Sequence, residues 1–314
     1  MKKLAVIALG GNALLRGNQS GTISEQESNT YETCSYLVEL IKKKYNIVIT
    51  HGNGPQVGNI LLRNEAGYDN YKIPKMPLDI CVADSQGGIG YMIQQQLTNV
   101  LNKLHIKKNI LTLITEVVVD KNDPAFQNPT KPIGKYFLKE EAELLSRANN
   151  WEFREDPRKR GWRRVVPSPK PMQIMNTEII KQLVSKGNII VAVGGGGIPV
   201  MWKQPDFLEG IDAVIDKDLA SARLAIDIGA DEFYILTDIP KVCINFQKPN
   251  QKSLDKLTVR QARKYLKTGE FAAGSMGPKI EAGIQFTIAT KRTTIITEAS
   301  ELSKPDAGTK IIYS

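Results

Sequence analysis

The sequence predicts an α/β fold, in which helices cover both faces of an open, mainly parallel sheet of about eight strands to give a three-layer αβα sandwich. Short apolar runs alternate along the chain with stretches of helical periodicity, and several of these runs end directly in glycines. One segment, residues 121–168, breaks the alternation with proline, charged and aromatic residues. We interpret this segment as an inserted small lid subdomain with a core of its own, built from Tyr136, Phe137, Leu138, Leu144, Leu145 and the tryptophans.

The first elements set the pattern. Residues 4–9 form a continuous apolar run, which is typical of a strand buried on both faces. Residues 24–44 carry apolar side chains at helical spacing and end in three lysines, where cations favour a helix C-terminus. A second buried strand is predicted at residues 46–50, so the chain opens as strand, helix, strand.

The alternation continues to the end of the chain. Helices are predicted near residues 90–104, 176–186, 217–228, 259–267 and 278–289. Strands are predicted at residues 110–119, 189–193, 233–236, 294–296 and 310–313. Ligands of such sheets bind beyond the carboxyl ends of the strands, and the glycine clusters fall there.

Composition limits the functional classes. The 314 residues are 41% hydrophobic and carry a net charge of +9, which fits one globular domain and favours anionic partners. We expect this domain to have two intimate lobes, residues 1–190 and 191–314. No apolar run approaches the roughly 18 to 20 residues that span a bilayer. The three cysteines are odd in number and far apart, so we expect a cytoplasmic protein without a targeting segment or membrane contact.

Glycine clusters at predicted strand-to-helix turns form a candidate anion site. They are Gly10-Gly11-Asn12, Gly52-Asn53-Gly54, Gly87-Gly88 and residues 194–197. Backbone N–H groups in such turns can converge on a phosphate, aided by the positive ends of the following helices. One cluster alone indicates only a tight turn, but several at strand ends favour phosphate binding. The common fingerprints G-x-x-x-x-G-K-[ST] and G-x-G-x-x-G are absent, which argues against P-loop and dinucleotide-binding folds.

Three lysines stand in unusual contexts. Lys217 begins a predicted helix between two acids, Lys279 follows a glycine turn at another helix start, and Lys131 lies between two prolines in Pro-Thr-Lys-Pro. Phosphoryl transfer spreads negative charge over three oxygens, so cations and N–H groups supply most of the catalysis. We therefore predict a kinase that uses these lysines, with Asp218 orienting Lys217 and Lys279.

The scarcity of histidine bears on the acceptor. The sequence contains only His51 and His105. An acceptor that is already an anion, such as carbamate or a carboxylate, needs no general base. His51 either lines the site or is a structural histidine. Mg²⁺ carried with ADP or ATP needs few protein ligands, so we predict no metal site made of protein residues.

These motifs resemble those of the carbamate kinase family, which has the amino-acid-kinase fold. The resemblance runs nearly end to end. The glycine motifs are shared with related kinases, whereas Asn128-Pro-Thr-Lys-Pro-Ile-Gly134 and the run Trp162-Arg-Arg-Val-Val-Pro-Ser-Pro169 are more specific. Residues 157–159 make the stretch before Arg160 longer and more basic than the family pattern. The segments that carry the resemblance are residues 8–14, 51–58, 128–134, 160–169, 213–220 and 271–279.

The resemblance implies a cytoplasmic homodimer of the arginine deiminase pathway that transfers a phosphoryl group reversibly between ADP and carbamoyl phosphate, giving ATP and carbamate. Residues 1–190, with the lid, would hold carbamoyl phosphate, and residues 191–314 the nucleotide. Lys131, Lys217, Asp218 and Lys279 would be catalytic. The implied substrate-binding residues are Gly10, Gly11, Asn12, Gly52, Asn53 and Gly54. The implied nucleotide-binding residues are Gly195, Gly196, Thr237, Asp238, Ala273, Met276, Gly277 and Pro278.

Two alternatives remain open. A kinase of the same fold could act on a larger carboxylate such as acetylglutamate or aspartate, although a small acceptor better explains an inserted lid. The chain could also be non-catalytic, either as a nucleotide sensor or as a nucleic-acid binder that uses the arginine-rich run at residues 154–170. Acidic residues dilute that run and the lysines favour an enzyme, so we expect no nucleic-acid partner.

Overall fold

The computed structural model describes residues 2–17, 19–156, 159–272 and 274–314. The strands are β1 (Leu4–Leu9), β2 (Asn46–His51), β3 (Ile110–Thr112), β4 (Glu116–Val119), β5 (Lys131–Phe137), β6 (Glu152–Glu155), β7 (Trp162–Val166), β8 (Pro171–Ile174), β9 (Ile189–Val191), β10 (Ile198–Gln204), β11 (Phe207–Gly210), β12 (Glu232–Thr237), β13 (Cys243–Ile244), β14 (Lys252–Ser253), β15 (Lys256–Thr258), β16 (Thr293–Glu298) and β17 (Thr309–Ile312). The helices are α1 (Ile23–Lys42), α2 (Gln56–Tyr71), α3 (Leu78–Lys103), α4 (Lys139–Asn149), α5 (Thr177–Ser185), α6 (Lys217–Asp227), α7 (Val259–Lys267) and α8 (Met276–Thr290).

The main sheet has eight strands in the order β15-β17-β16-β12-β1-β2-β9-β3. Strands β16, β12, β1, β2, β9 and β3 pair in parallel, and β17 runs antiparallel to β16. The carboxyl ends of β1, β2, β12 and β16 therefore lie along one edge. The predicted open, mainly parallel sheet of about eight strands is confirmed.

Both faces of this sheet are covered by helices. Along β1, Ala5, Ile7 and Leu9 point into a cluster that includes residues of α1 and α3, whereas Val6 and Ala8 join a cluster that includes residues of α5, α6 and α8. Side chains of a strand alternate between faces, so an all-apolar strand has to be buried on both. The predicted three-layer αβα sandwich follows from this alternation and is confirmed.

The predicted strand 110–119 is wrong as a single element. It breaks after Thr112, so β3 pairs with β9 in the main sheet while β4 joins a second sheet of order β11-β10-β4-β8. The buried Gln86 side chain fixes this break, because its Oε1 accepts from Thr115 N at 2.8 Å and its Nε2 donates to Gly194 O at 2.9 Å. The run is mostly apolar, so its pattern predicts one strand and does not reveal the change of sheet. The hairpin β10–β11 was likewise not predicted.

The predicted helix 90–104 starts much earlier, at Leu78, and Gly87 and Gly88 are therefore not a strand-to-helix turn. Pro77 precedes the first helical residue, as helix starts allow. Gly90 is needed for contact with β3, since a Cβ there would lie 2.2 Å from Thr112 Cγ2. By contrast, a Cβ at Gly87 or Gly88 would meet no atom of the described residues within 4 Å.

The insert folds as predicted into a small subdomain, a three-stranded antiparallel sheet of order β5-β7-β6 that packs against α4. Phe137 and Phe153 meet edge to face at 5.5 Å between ring centroids. The prediction that Leu138 and Leu144 belong to this core is wrong, because both side chains are exposed. Pro157 and Arg158 lie outside the described residues.

Helix α2, which the sequence did not predict, supports strand β5 of the lid. It packs against β5, and a Cβ at Gly58 would lie 2.4 Å from the backbone N and Cα of Gly134. Only glycine allows helix and strand to approach this closely. Among the residues that the structure describes, no helix combines the length and apolar character needed to cross a membrane.

Candidate active site

A cavity of about 740 Å³ opens at the carboxyl edge of the main sheet. The ends of β1, β2, β12 and β16 meet there with the first residues of α6 and α8 and with Lys131 of the lid. Thirteen of the residues predicted from sequence line it: Gly10, Gly11, Gly52, Asn53, Gly54, Lys131, Gly195, Lys217, Asp218, Thr237, Asp238, Pro278 and Lys279. The fold thus brings together residues from both halves of the chain.

The glycine loops leave room for neighbouring side chains. A Cβ at Gly52 would lie 3.1 Å from Lys217 Cδ, so this glycine gives the lysine stem its path into the cavity. Gly195 has a φ of +66° and faces Asn53, whose Nδ2 would lie 2.4 Å from an added Cβ. Asn53 Nδ2 in turn donates to Ser85 Oγ at 3.1 Å. The loops after β2 and β9 are therefore fitted to each other.

Asp218 lies between two lysines at the centre of the cavity. Lys217 Nζ donates to Asp218 Oδ1 at 2.6 Å, and Lys279 Nζ donates to Asp218 Oδ2 at 3.0 Å. The Asp218 side chain is 4% exposed, and the two lysine side chains are 14% and 13% exposed. One carboxylate therefore fixes two ammonium groups brought together by α6 and α8.

The electrostatics of this triad are set by burial and by its like and unlike charges. Burial alone would raise the pKa of Asp218, but the two adjacent ammonium groups outweigh it and lower the pKa to about 2. For Lys217, burial and the charge of Lys279 lower the pKa, while Asp218 opposes the shift. Two cations facing one anion leave a net positive charge, which suits a phosphoryl group.

Lys131 reaches the cavity from the lid. It is the first residue of β5, and its Nζ donates to Asp216 Oδ2 at 2.9 Å. Asp216 directly precedes α6 and caps it, because its Oδ1 accepts from the backbone N–H groups of Asp218 and Leu219. The lid and the helix of the central triad are thus joined through one carboxylate.

His51 is a structural histidine rather than a cavity residue. Its ring is buried beneath the last glycine loop, where a Cβ at Gly194 would lie 2.3 Å from Nε2. Burial and the nearby charge of Lys217 lower the pKa of His51 to about 4, against the hydrogen bond to Gly52 O. A neutral, buried imidazole does not reach an acceptor as a general base.

Some predicted residues lie elsewhere. Gly196 is buried under the loop, where a Cβ would meet Ile215 O at 2.3 Å. Gly277 is buried, and Met276 packs against the core cluster, so both support the start of α8 from below. Ala273 and the side chain of Asn12 lie outside the described residues, although the Asn12 backbone belongs to the short 3-10 turn Gly11–Ala13.

Sequence reasoning missed several cavity residues. Asp216 carried a signal, because an aspartate just before a helix is a common N-cap. Glu298 also carried one, since it follows the predicted strand 294–296 by two residues and ends β16 at the carboxyl edge of the sheet. Six others carried none, because α1, the loop before it and the residues after β16 approach the cavity only in three dimensions: Arg16, Glu32, Thr33, Tyr36, Ala299 and Ser300.

The arginine-rich run is engaged within the lid. The Arg164 guanidinium stacks 4.1 Å from the Trp151 ring, and Arg163 lies 5.4 Å from the Tyr136 ring. Arg160 donates to both carboxylate oxygens of Asp156, at 3.0 and 2.9 Å. These contacts explain the run as part of the lid's own structure.

Comparison with known proteins decides the family. The model of the amino acid kinase family matches residues 3–298. The chain is 49% identical to the carbamate kinase of Pyrococcus furiosus over 286 residues, which cover 91% of this chain and 90% of that protein. It is also 49% identical to the carbamate kinase of Thermococcus kodakarensis over 285 residues, or 90% of each chain. The chain belongs to the carbamate kinases.

The solved structures agree with this family. Carbamate kinase from Giardia lamblia bound to AMP-PNP has a TM-score of 0.92 to this chain and is 42% identical in sequence. The match covers 100% of this chain and 99% of that one. The resemblance read from the sequence motifs, and the fold that it implied, are confirmed. The roles of individual residues stay predictions, which rest on the geometry described above.

Proposed function

We propose that the protein catalyses reversible phosphoryl transfer between ADP and carbamoyl phosphate, giving ATP and carbamate. The observation that carries this proposal is the pair of lysines bridged by Asp218, which faces the glycine loops and the lid lysine across one cavity. Membership of the carbamate kinases selects the acceptor. The small inserted lid fits a small acceptor better than a long amino-acid carboxylate.

Positioning and charge account for the chemistry. Gly10, Gly11, Gly52 and Gly54 hold the carbamoyl phosphate end with backbone N–H groups. In the transition state, negative charge spreads over the oxygens of the phosphoryl group being transferred, and Lys217 and Lys279 neutralise this charge. Asp218 keeps the two ammonium groups apart and in place. Carbamate is an anion already, so no proton has to be removed by a base, which agrees with the buried position of His51.

We assign ADP and ATP to the late half of the cavity, where Gly195, Thr237, Asp238 and Pro278 line the wall. Mg²⁺ enters with the nucleotide and neutralises phosphate charge when bound. The residues fit this mode: among the described parts of the chain no three His, Cys, Asp or Glu side chains cluster as metal ligands. The carboxylates of Asp216 and Asp218 already form ion pairs with lysine ammonium groups. Such a metal would take its ligands mainly from phosphate and water.

The exposed face of α3 supports a homodimer. Tyr91 is 61% exposed and Ile80 is 40% exposed on this helix. Gly87 and Gly88 lie between them with open space above. Glycine inside a helix costs about 1 kcal/mol relative to alanine, and no atom of the described residues lies close enough to require glycine at these two positions. Close approach of the same helix from a second copy would require them.

The cellular setting follows from the chemistry. Cys34, Cys81 and Cys243 are all free thiols, which suits the reducing cytoplasm. Breakdown of arginine by the deiminase pathway yields carbamoyl phosphate, and there the enzyme would run toward ATP. Metabolite concentrations set the direction, because both directions share one transition state.

A direct assay tests the proposal. Purified protein with Mg²⁺, ADP and carbamoyl phosphate should form ATP. A coupled luciferase or hexokinase reaction measures that ATP. Acetyl phosphate serves as a second donor, and acetylglutamate and aspartate with ATP test the larger acceptors. ATP formation only from carbamoyl phosphate supports the assignment. Failure there, together with phosphorylation of an amino-acid carboxylate, would overturn it.

A further inference from the structure

The two oxygens of the Asp216 carboxylate have separate partners. Oδ1 accepts from Asp218 N at 2.9 Å and from Leu219 N at 3.3 Å, which caps helix α6. Oδ2 accepts from Lys131 Nζ at 2.9 Å. The cap ties the carboxylate to the backbone of Asp218 itself. Asp216 is therefore a fixed point relative to the lysine pair.

Lys131 has no such fixed point of its own. It stands on the lid, 85 positions before Asp216 in the chain, and its side chain is 33% exposed, against 14% for Asp216. A lysine stem has several rotatable bonds and loses rotamer freedom when it is immobilised. Without a partner, the ammonium group would sample the solvent as well as the cavity.

We propose that Asp216 is a positioning residue that holds Lys131 in the cavity and thereby docks the lid on helix α6. The inference rests on the proposed phosphoryl transfer and adds to it a residue that acts through another. An ammonium group has three N–H donors, so Lys131 can keep its bond to Asp216 while it donates to a phosphate oxygen. Holding it beforehand reduces the entropy lost when carbamoyl phosphate binds.

The opposite role makes an opposite prediction. If Asp216 competed with the phosphate for Lys131, its bond would have to break on binding, and removal of its charge would tighten binding. If Asp216 were only a helix cap, asparagine would replace it without effect, because Asn and Asp cap helices about equally well. The variant Asp216→Asn therefore separates the three cases.

The matched control is Asp123→Asn, near the first residue of the lid segment. Asp123 also accepts a capping bond with Oδ1, from Ala125 N at 2.8 Å, while its Oδ2 accepts from Lys170 N at 3.0 Å. Both variants thus remove a capping carboxylate near the lid, but only one removes the partner of Lys131. We expect Asp216→Asn to raise KM for carbamoyl phosphate about fivefold, with kcat changed less than about threefold. Asp123→Asn should leave both constants unchanged.

A double-mutant cycle shows whether the effect passes through Lys131. In a Lys131→Met background, Asp216→Asn should change KM less than about twofold, because the partner is already gone. Equal effects in both backgrounds would mean that Asp216 acts independently of Lys131 and would overturn the proposal. A lowered KM, or an unchanged one, would overturn it as well.

Hydrogen exchange supplies a readout that does not depend on activity. We expect the backbone amides of Lys131 and of residues 133–137 to exchange faster in Asp216→Asn than in the wild type or in Asp123→Asn, because the lid is no longer docked. Unchanged exchange would refute the docking. If the wild type made no ATP from carbamoyl phosphate, the proposed reaction would fail, and the exchange comparison would still decide whether Asp216 holds the lid.

Discussion

Replacing Asp218 with asparagine tests the central triad most directly. The change keeps the size of the side chain but removes the negative charge between two ammonium groups that lie 2.6 and 3.0 Å from it. The lysines lower the pKa of Asp218 from 3.8 to about 2. A shift of this size corresponds to about 2 kcal/mol of preference for the ionised carboxylate. Because the group is buried, this preference is little reduced by solvent.

Two losses are expected in Asp218→Asn. Unpaired, buried ammonium groups should lower the free energy of unfolding by about 3 kcal/mol at pH 7. The lysines also lose their fixed positions, so kcat should fall by roughly 10²- to 10³-fold. The pKa of Lys217, already lowered by burial, should fall further without the carboxylate. The variant should therefore regain stability as the pH rises and Lys217 releases its proton.

The assays are ATP formation from ADP and carbamoyl phosphate and urea unfolding between pH 6 and 10. The matched control is Asp227→Asn at the other end of helix α6, where the carboxylate pairs with Arg223 at the surface. That pair is worth less than about 1 kcal/mol, so the control should keep its activity and most of its stability. If Asp218→Asn kept its rate within about threefold, the triad would have no part in the reaction.

Three further predictions concern the lid, acid stability and assembly. Gly58→Ala should lower kcat/KM at least about tenfold, because the added Cβ would displace the lid strand. The control is Gly67→Ala in the same helix, where the added Cβ would lie 3.8 Å from its nearest neighbour, so this variant should be neutral. Since burial lowers the pKa of His51 from 6.5 to about 4, the wild type should lose about 3 kcal/mol of stability as pH falls through this window. His51→Gln should lose that pH dependence, whereas His105→Asn should keep it; equal slopes for both variants would contradict the assignment. Tyr91→Glu should give a monomer by light scattering while the wild type is a dimer, and identical masses would place the interface elsewhere.

Much of the fold could be predicted from local pattern. The strands β1 and β2 lie close to the predicted ranges because a run of apolar residues with no polar face can only be a buried strand or a buried helix, and its length excluded the helix. The start of α6 at Lys217 was also predicted correctly. At the start of α3 the prediction was wrong because glycine was read as a turn signal. In α3 it serves helix–strand contact at Gly90 and leaves open surface at Gly87 and Gly88.

The candidate site was predicted in part. Lys217 lies at a predicted helix start between two acids, and Lys279 follows a glycine turn at another helix start. These contexts predict both lysines, with Asp218 to orient them, and the fold brings the three together. Gly196 belongs to the glycine cluster at residues 194–197 and Gly277 to the motif that contains Lys279. Both support their loops from below. Sequence spacing alone does not tell which glycines of a turn face a ligand and which face the core.

The sequence alone determined the chemistry available to this protein: glycine turns at strand ends, three lysines in unusual contexts, one of them between two aspartates, and motifs of the carbamate kinases. These are local features, set by residue type and spacing. The tertiary structure decided which charges meet. It placed Asp218 between Lys217 and Lys279, and it joined Lys131 to Asp216 across 85 positions of the chain. Such pairings depend on how strands are ordered and helices packed, and the interaction of two charges depends on their distance and burial, which no local pattern contains.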